Sequence, residues 1–145
     1  MASTLTSRTT VVFLVVLSSM ATTGAQEREF VALAQRVSVS SLDPAFPAIP
    51  FARWLAQTGG ISQAAIRWEV NDCGEGGDGR TAPTCVEAVF GLASDATAHA
   101  SILLAARDRT SVKPAIYALY ALTGNAVTRF SKLREWVAYV RRHRR

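Results

Sequence analysis

Apolar and polar residues alternate most clearly in the middle of the chain. In residues 64–72, Ile66, Trp68 and Val70 alternate with charged or amide side chains, which is the pattern of a strand with one buried face. Residues 85–93 repeat this alternation. Because a glycine-rich segment joins the two, we predict that they form an antiparallel hairpin.

Two further apolar segments follow, at residues 99–107 and 113–124. They are more uniformly apolar, as strands covered on one face by helices are, although their alanines and leucines also suit a helix. We predict strands for both, separated by turn-forming residues. A further strand is predicted at residues 37–40, where valine and serine alternate, and residues 30–35 before it suit either a strand or a helix.

Helical periodicity occurs in two places. Residues 50–60 have Phe51, Trp54 and Leu55 on one helical face and glycine at the end. Residues 131–145 place their apolar side chains on one stripe of a C-terminal helix. The sequence therefore predicts an α+β fold: a small antiparallel sheet of about four to five strands, with a short N-terminal helix and a C-terminal amphipathic helix packed on one face.

Residues 1–25 have the composition of a secretory signal peptide. One arginine precedes a run of seven apolar residues, and small residues follow. The run is much shorter than the roughly 20 residues of a spanning helix, so an uncleaved membrane anchor is the less favoured alternative. We predict cleavage after Ala25 or Ala21, export of a bacterial protein to the periplasm or the medium, and a single mature domain at residues 26–145.

Positive charge is concentrated at the C-terminal end. Residues 26–145 carry 15 basic and 11 acidic side chains, but residues 129–145 alone carry seven bases and one acid. Residues 26–128 therefore have a net charge of −2. The basic tail at residues 141–145 suits either a solvated helix end or a contact with an anionic surface. Its arginines are Arg141, Arg142, Arg144 and Arg145.

The two cysteines of the chain, Cys73 and Cys85, close a short acidic loop. In an exported protein such a pair most often forms a disulfide, which here would fix the register of the hairpin. Glycines and carboxylates also occur in calcium loops, but the spacing lacks the alternating ligands of those motifs, so no metal site is predicted. The loop carries a candidate binding set: Asp72, Glu75, Asp78 and Arg80.

The sequence contains no assembled catalytic motif. Glu69 and Glu87 are expected to face each other on the polar side of the hairpin, and paired carboxylates can perform acid–base chemistry. Arg67 is placed to neutralise one of them, so we interpret these three side chains as a candidate sheet face for binding. His99 is expected on the solvated side of its strand. No catalytic residue and no cofactor is therefore predicted.

The segments WEVNDCGE at residues 68–75 and CVEA at residues 85–88 resemble stretches in a group of uncharacterised exported bacterial proteins. Proteins of that group usually have a longer insertion between the two cysteines. The resemblance covers about half of the mature chain and implies a shared fold and disulfide, but no activity or ligand. The order of elements also resembles cystatin-like and other small periplasmic binding folds, which is an analogy of fold alone.

These features favour an exported, non-enzymatic binding module stabilised by one disulfide. An unknown protein or envelope component would contact the open sheet face or the loop between the cysteines. One alternative is a small hydrolase or lyase that uses Glu69, Glu87 or His99 in a cleft on the sheet. Another is peripheral attachment to an anionic envelope surface through the C-terminal helix. Neither a nucleic-acid partner nor a membrane-spanning segment is expected.

Overall fold

The structure is a computed structural model that describes residues 24–74, 83–106, 108 and 110–145. The helices in these ranges are α1 (24–36), α2 (Val39–Leu42), α3 (Phe51–Gly59) and α4 (Leu133–His143). The strands are β1 (Arg67–Asp72), β2 (Thr84–Gly91), β3 (Thr97–Ala105), β4 (Ser111–Thr123) and β5 (Ala126–Phe130). They form one antiparallel sheet in the order β1 to β5, which confirms the predicted α+β fold.

Alternation within the strands separates the two faces of the sheet. Val86, Ala88 and Phe90 of β2 are buried on the face toward the helices, beside Ala100 and Ile102 of β3. Side chains two residues apart share a face, so the residues between them point to the opposite face, which the helices leave open. The predicted inward side of the hairpin is therefore correct.

Aromatic side chains join the helices to the sheet. Trp136 of α4 is fully buried, with its ring centroid 6.5 Å from that of Trp54 in α3 and 5.9 Å from that of Phe90 in β2. The Trp136 indole donates a hydrogen bond to the carbonyl oxygen of Tyr120 at 3.2 Å. Because α3 and α4 bury their apolar faces against the same side of the sheet, these helices leave the opposite side uncovered.

The strand predicted at residues 37–40 is wrong. Residues 24–36 form α1, the chain bends at Val37, and α2 follows at once. Four alternating residues are too few to decide between strand and helix, and here Val39 reaches the core from a helical turn. Extended pairing is limited to one isolated bridge between Ser38 and Pro50. Residues 30–35, which suit either structure, are helical.

Strand β5 was not predicted from the sequence. The chain reverses after β4 through a tight turn in which Gly124 has φ of 59°, a left-handed conformation that glycine adopts without strain. Residues 126–129 that follow are exposed, so they lack the apolar alternation that marks the other strands. This edge strand supplies Val127 and Arg129 to the open face of the sheet.

Candidate functional site

A group of polar side chains lies in the middle of the open sheet face. Glu87 points there because its neighbours on β2 face the helices. The register sets Glu87 opposite Glu69 of β1 on one side and Ser101 of β3 on the other. On the next polar row, His99 of β3 lies opposite Tyr120 of β4. Four strands therefore converge on one polar region.

Hydrogen bonds join Glu87, His99 and Tyr120, which we call the carboxylate cluster. Nδ1 of His99 donates to Oε1 of Glu87 at 2.6 Å, and the Tyr120 hydroxyl donates to the same oxygen. Nε2 of His99 lies 2.8 Å from the hydroxyl oxygen of Thr97. The His99 and Tyr120 rings stack with centroids 4.5 Å apart and 9° between their planes. Both ring nitrogens of His99 therefore have a partner.

Burial and hydrogen bonding act in opposite directions on the Glu87 carboxyl. Removal from water raises its pKa, but hydrogen bonds from His99, Tyr120 and Asn71, together with the electrostatic interaction with the His99 ring, outweigh this and leave the pKa below its ordinary value. For Tyr120, burial and the adjacent Glu87 carboxylate raise the pKa of the phenol well above its ordinary value. At neutral pH, Glu87 is thus an ionised acceptor and Tyr120 a donor.

The expectation that His99 is solvated is wrong. The relative exposure of His99 is 7% and that of Glu87 is 9%, although both point away from the helices. Both residues lie on central strands, and the Tyr120 ring covers the imidazole. Alternation correctly predicts which face a residue occupies, but not that neighbouring side chains bury the centre of the polar face.

A cleft of about 650 Å³ opens over the carboxylate cluster. Its volume lies within the range of about 300–1,000 Å³ typical of small-molecule sites. Two large apolar side chains at the cleft, Tyr117 and Val127, are 49% and 52% exposed. All five strands and the turn after β1 contribute to the lining: Asn71, Asp72, Gly74, Glu87, Ser101, Tyr117, Ala118, Tyr120, Val127 and Arg129.

A β-bulge brings Tyr117 to the cleft. Ser101 of β3 pairs with Ala118 and Ile102 pairs with Ile116, so Tyr117 is an extra residue on β4. Tyr117 and Tyr120 are three positions apart and would lie on opposite faces of a regular strand. The extra residue shifts the alternation, and both tyrosines line the same cleft.

The predicted disulfide between Cys73 and Cys85 is confirmed, and it lies beside the cleft. The two Cα atoms are 5.2 Å apart, and the Cys73 amide donates to the Pro83 carbonyl oxygen at 2.9 Å. The bond ties the end of β1 to the start of β2. Asp72 and Gly74, on either side of Cys73, line the cleft, so the disulfide holds that wall in place.

The other residues of the predicted loop and sheet face are separated from one another. Asp72 lines the cleft, whereas Glu75, Asp78 and Arg80 lie outside the described residues. On the sheet face, Nε of Arg67 donates to Oε1 of Glu69 at 2.8 Å, and both side chains are exposed. Arg67 thus neutralises Glu69, and of the two facing carboxylates only that of Glu87 is buried.

The basic tail follows the last turn of α4. Arg141, Arg142 and Arg144 are exposed, and none of them forms an ion pair with another described residue. Nε of Arg145 donates to the carbonyl oxygen of Leu92 at 3.1 Å. The tail is therefore partly anchored to the loop after β2, rather than wholly solvated.

Several cleft residues were missed in the sequence: Asn71, Ser101, Tyr117, Tyr120, Val127 and Arg129. Ser101 and Tyr120 interrupt apolar segments, and this interruption was the available signal. Arg129 was counted only with the C-terminal charge because β5 was not recognised. For Tyr117, no local pattern indicates the bulge that exposes it.

Neither a metal site among the described residues nor a similarity to a known protein helps to identify the function. Among residues 24–74, 83–106, 108 and 110–145, no group of three or more His, Cys, Asp or Glu side chains is placed to hold a metal ion. No helix in the described part of the chain is long and apolar enough to cross a membrane. No protein-family model, curated protein or solved structure matches the chain.

Proposed function

We propose that the protein is a non-enzymatic binding module that holds a small molecule in the cleft over the carboxylate cluster. One observation carries the proposal: the cleft combines a buried, hydrogen-bonded carboxylate, Glu87, with the exposed side chains of Tyr117 and Val127. In the described ranges, Leu33 is the one other large apolar side chain of similar exposure. Exposed apolar groups beside a few fixed polar groups are typical of ligand sites.

The carboxylate cluster acts in this proposal as a rigid support. An ionised carboxylate within a sheet is costly unless donors satisfy it. Here His99, Tyr120 and Asn71 supply the donors, so the positions of the Tyr120 ring and the Asn71 amide at the cleft are fixed before any ligand arrives. Such preorganisation lowers the entropy lost on binding.

Acid–base catalysis fits the same geometry less well. A general base is most effective when its pKa lies near the working pH, and the Glu87 pKa is instead lowered. Both ring nitrogens of His99 are engaged, by Glu87 and Thr97, and His99 does not line the cleft. These contacts favour binding over a hydrolase or lyase activity.

An NMR fragment screen tests the proposal. We expect neutral and charged fragments to shift the backbone amides of Asp72, Tyr117 and Arg129, and we expect Tyr117→Ala and Arg129→Ala to abolish those shifts. Leu33→Ala and Arg134→Ala are matched controls, because both side chains are exposed and lie outside the cleft. Hits spread over the whole surface, or hits that survive both cleft variants, would contradict the proposal.

Export is part of the same proposal. The disulfide supports it, since such bonds persist mainly in oxidising compartments. Intact-mass measurement of the protein recovered from its host's exported fraction should give a chain that starts at Gln26 or Thr22, with no thiol labelled before reduction. Absence of the protein from the exported fraction would contradict export, a chain that retains Met1 would contradict cleavage of the signal peptide, and two thiols labelled without reductant would contradict the disulfide.

A second candidate function is contact with an anionic envelope surface. It is favoured by the exposure of Arg134, Arg141 and Arg142 on α4, none of which forms an ion pair with another described residue. The protein should then sediment with phosphatidylserine vesicles at low salt and be released at high salt. Arg141→Ala with Arg142→Ala should reduce sedimentation, and a wild-type chain that stays in the supernatant at low salt would contradict this function.

A further inference from the structure

We infer that the cleft takes a short, uncharged oligosaccharide, an inference that rests on the binding function proposed above. Three features of the cleft support it: a balance of charge, a mixture of hydrogen-bond donors and acceptors, and an exposed aromatic ring. The direction in which the cleft crosses the sheet also disfavours a peptide.

Among the described residues, the charges that the cleft presents to a ligand are balanced. Asp72 lies on one edge strand and Arg129 on the other, and neither forms an ion pair with another described residue. The charge of Glu87 is met inside the carboxylate cluster. The described lining thus offers one free carboxylate and one free guanidinium, a combination that does not favour a ligand with a net charge.

The two edge strands of the cleft lie far apart compared with the length of a single amino acid. Neighbouring strands lie about 4.8 Å apart, so the two edges of five strands are separated by roughly 19 Å on a flat sheet. One amino acid advances at most about 3.6 Å. A ligand that runs across all five strands is therefore an oligomer of several units.

Hydroxyl groups match the polar lining. Asp72 offers only acceptors, Arg129 only donors, and Ser101 offers both. A hydroxyl can donate to the first, accept from the second and do either with the third, so a polyhydroxylated chain satisfies all of them. A purely apolar ligand would remove Asp72 and Arg129, which are both exposed, from water and return no hydrogen bond.

Tyr117 supplies a surface for a sugar ring. The bulge on β4 lifts its side chain to the cleft, where it is half exposed. The face of an aromatic ring carries negative charge density, and it attracts the weakly positive C–H groups of a pyranose face. Val127 extends this contact surface from the adjacent edge strand.

A peptide fits this cleft less well than a sugar chain. The lining residues come from all five strands, so the ligand lies across the strands. Peptides usually bind sheets by pairing with a free edge strand, through backbone hydrogen bonds. On the central strands those groups are already used in the ladders, and a peptide crossing them would find only side-chain partners.

Calorimetric titration of the disulfide-bonded protein tests the inference. The probes are maltotetraose, cellotetraose and fully N-acetylated chitotetraose, each to about 10 mM, where even weak ligands occupy a site, with a capped tetra-alanine peptide as control. We expect at least one sugar to bind and the peptide not to bind. Tyr117→Ala should weaken sugar binding about tenfold, Tyr117→Phe should leave it within about twofold, and Leu33→Ala should not change it. Thermal unfolding of each variant checks that it is folded.

The outcomes separate the two proposals. Failure of all three sugars to bind, while fragments still shift the cleft amides, would overturn the sugar ligand and leave the binding cleft in place. Sugar binding that Tyr117→Ala does not weaken would also overturn it, because the sugar would then lie elsewhere. If neither sugars nor fragments bind, the proposed function fails and the sugar ligand fails with it.

Discussion

The side chains on the two faces of the sheet are buried by different kinds of interaction. On the helix side, the apolar rings of Phe90 and Trp136 pack against each other, so stability there depends mainly on how closely the side chains fit together. On the open side, Glu87 and His99 are almost as buried, but stability there depends on the hydrogen bonds that these polar side chains form. The first face depends on packing density and the second on protonation, so the two should respond to different perturbations.

The largest effect is expected on the helix side, from Trp136→Ala. Removing the indole leaves a cavity between α3, α4 and β2 and should lower the free energy of unfolding by about 3–5 kcal/mol. Urea denaturation measures the change. Trp68→Ala, at a half-buried position on edge strand β1, should cost clearly less. Equal losses in the two variants would show that α4 is not tightly packed.

Breaking the disulfide should have the next largest effect. The cross-link between Cys73 and Cys85 encloses a short loop, and its loss should lower the free energy of unfolding by about 3 kcal/mol through the entropy of the unfolded chain. Denaturation with and without reductant measures it. The double variant Cys73→Ala with Cys85→Ala should resemble the reduced protein and be insensitive to reductant. A reductant effect that persists in this variant would refute the explanation.

On the open side, Glu87→Gln should show a pH-dependent loss of stability. The Glu87 pKa is lower in the folded protein, so the ionised carboxylate stabilises the fold above the unfolded pKa of about 4.3, and this contribution disappears as pH falls through the folded value. We expect a loss of about 1–3 kcal/mol at neutral pH, and convergence with the wild type in acid. Denaturation at a series of pH values measures it.

Glu69→Gln is the matched control for this variant. Glu69 lies opposite Glu87, but in an exposed ion pair with Arg67. Its replacement should cost less than about 1 kcal/mol. If the wild type and Glu87→Gln lose stability in parallel as the pH falls, the role assigned to the carboxylate cluster is wrong.

Within the carboxylate cluster, the smallest effect is expected from Tyr120→Phe. It removes one donor to Glu87 and should cost about 1 kcal/mol at neutral pH. The Tyr120 pKa is raised in the folded protein, so its contribution is complete below the unfolded value of about 10 and is lost as pH rises through the folded value. Near-ultraviolet titration should detect the same number of phenolates at about pH 11 in the folded wild type and variant.

The unfolded chains provide the control for this titration. In denaturant the wild type should ionise three tyrosines and Tyr120→Phe two. A folded wild type that already forms one phenolate more than the variant near pH 11 would show that the Tyr120 hydroxyl is not held by Glu87.

Those parts of the fold that depend on local periodicity were predictable from the sequence. The alternation around Trp68 and Phe90 correctly indicated the hairpin and its buried face, and Trp54 and Trp136 lie on the helical stripes that predicted α3 and α4. The prediction failed at residues 37–40, where the pattern was short, and at the exposed strand β5, where there was none. Tertiary packing determines the structure of both segments.

The candidate site was less predictable because it depends on contacts between distant residues. Glu87 and His99 were each noticed, but their hydrogen bond requires the register between β2 and β3. Tyr120 lies 33 positions after Glu87 in the sequence, and it reaches the same carboxylate only because β4 pairs with β3. Alternation gives the face of each residue, whereas neighbours across strands follow only from the register.

The bulge on β4 has a consequence for how such a surface can change in evolution. Without Tyr117, Ile116 and Ala118 would be consecutive and would face Ile102 and Ser101 in unbroken pairing. Loss of one codon would therefore regularise the strand and remove the ring from the open face, while the residues beneath α3 and α4 keep their partners. Gain of one codon would do the reverse. In this sheet, insertion or deletion of one residue, as well as substitution, can therefore convert a bare surface into one that presents an aromatic platform, or the reverse.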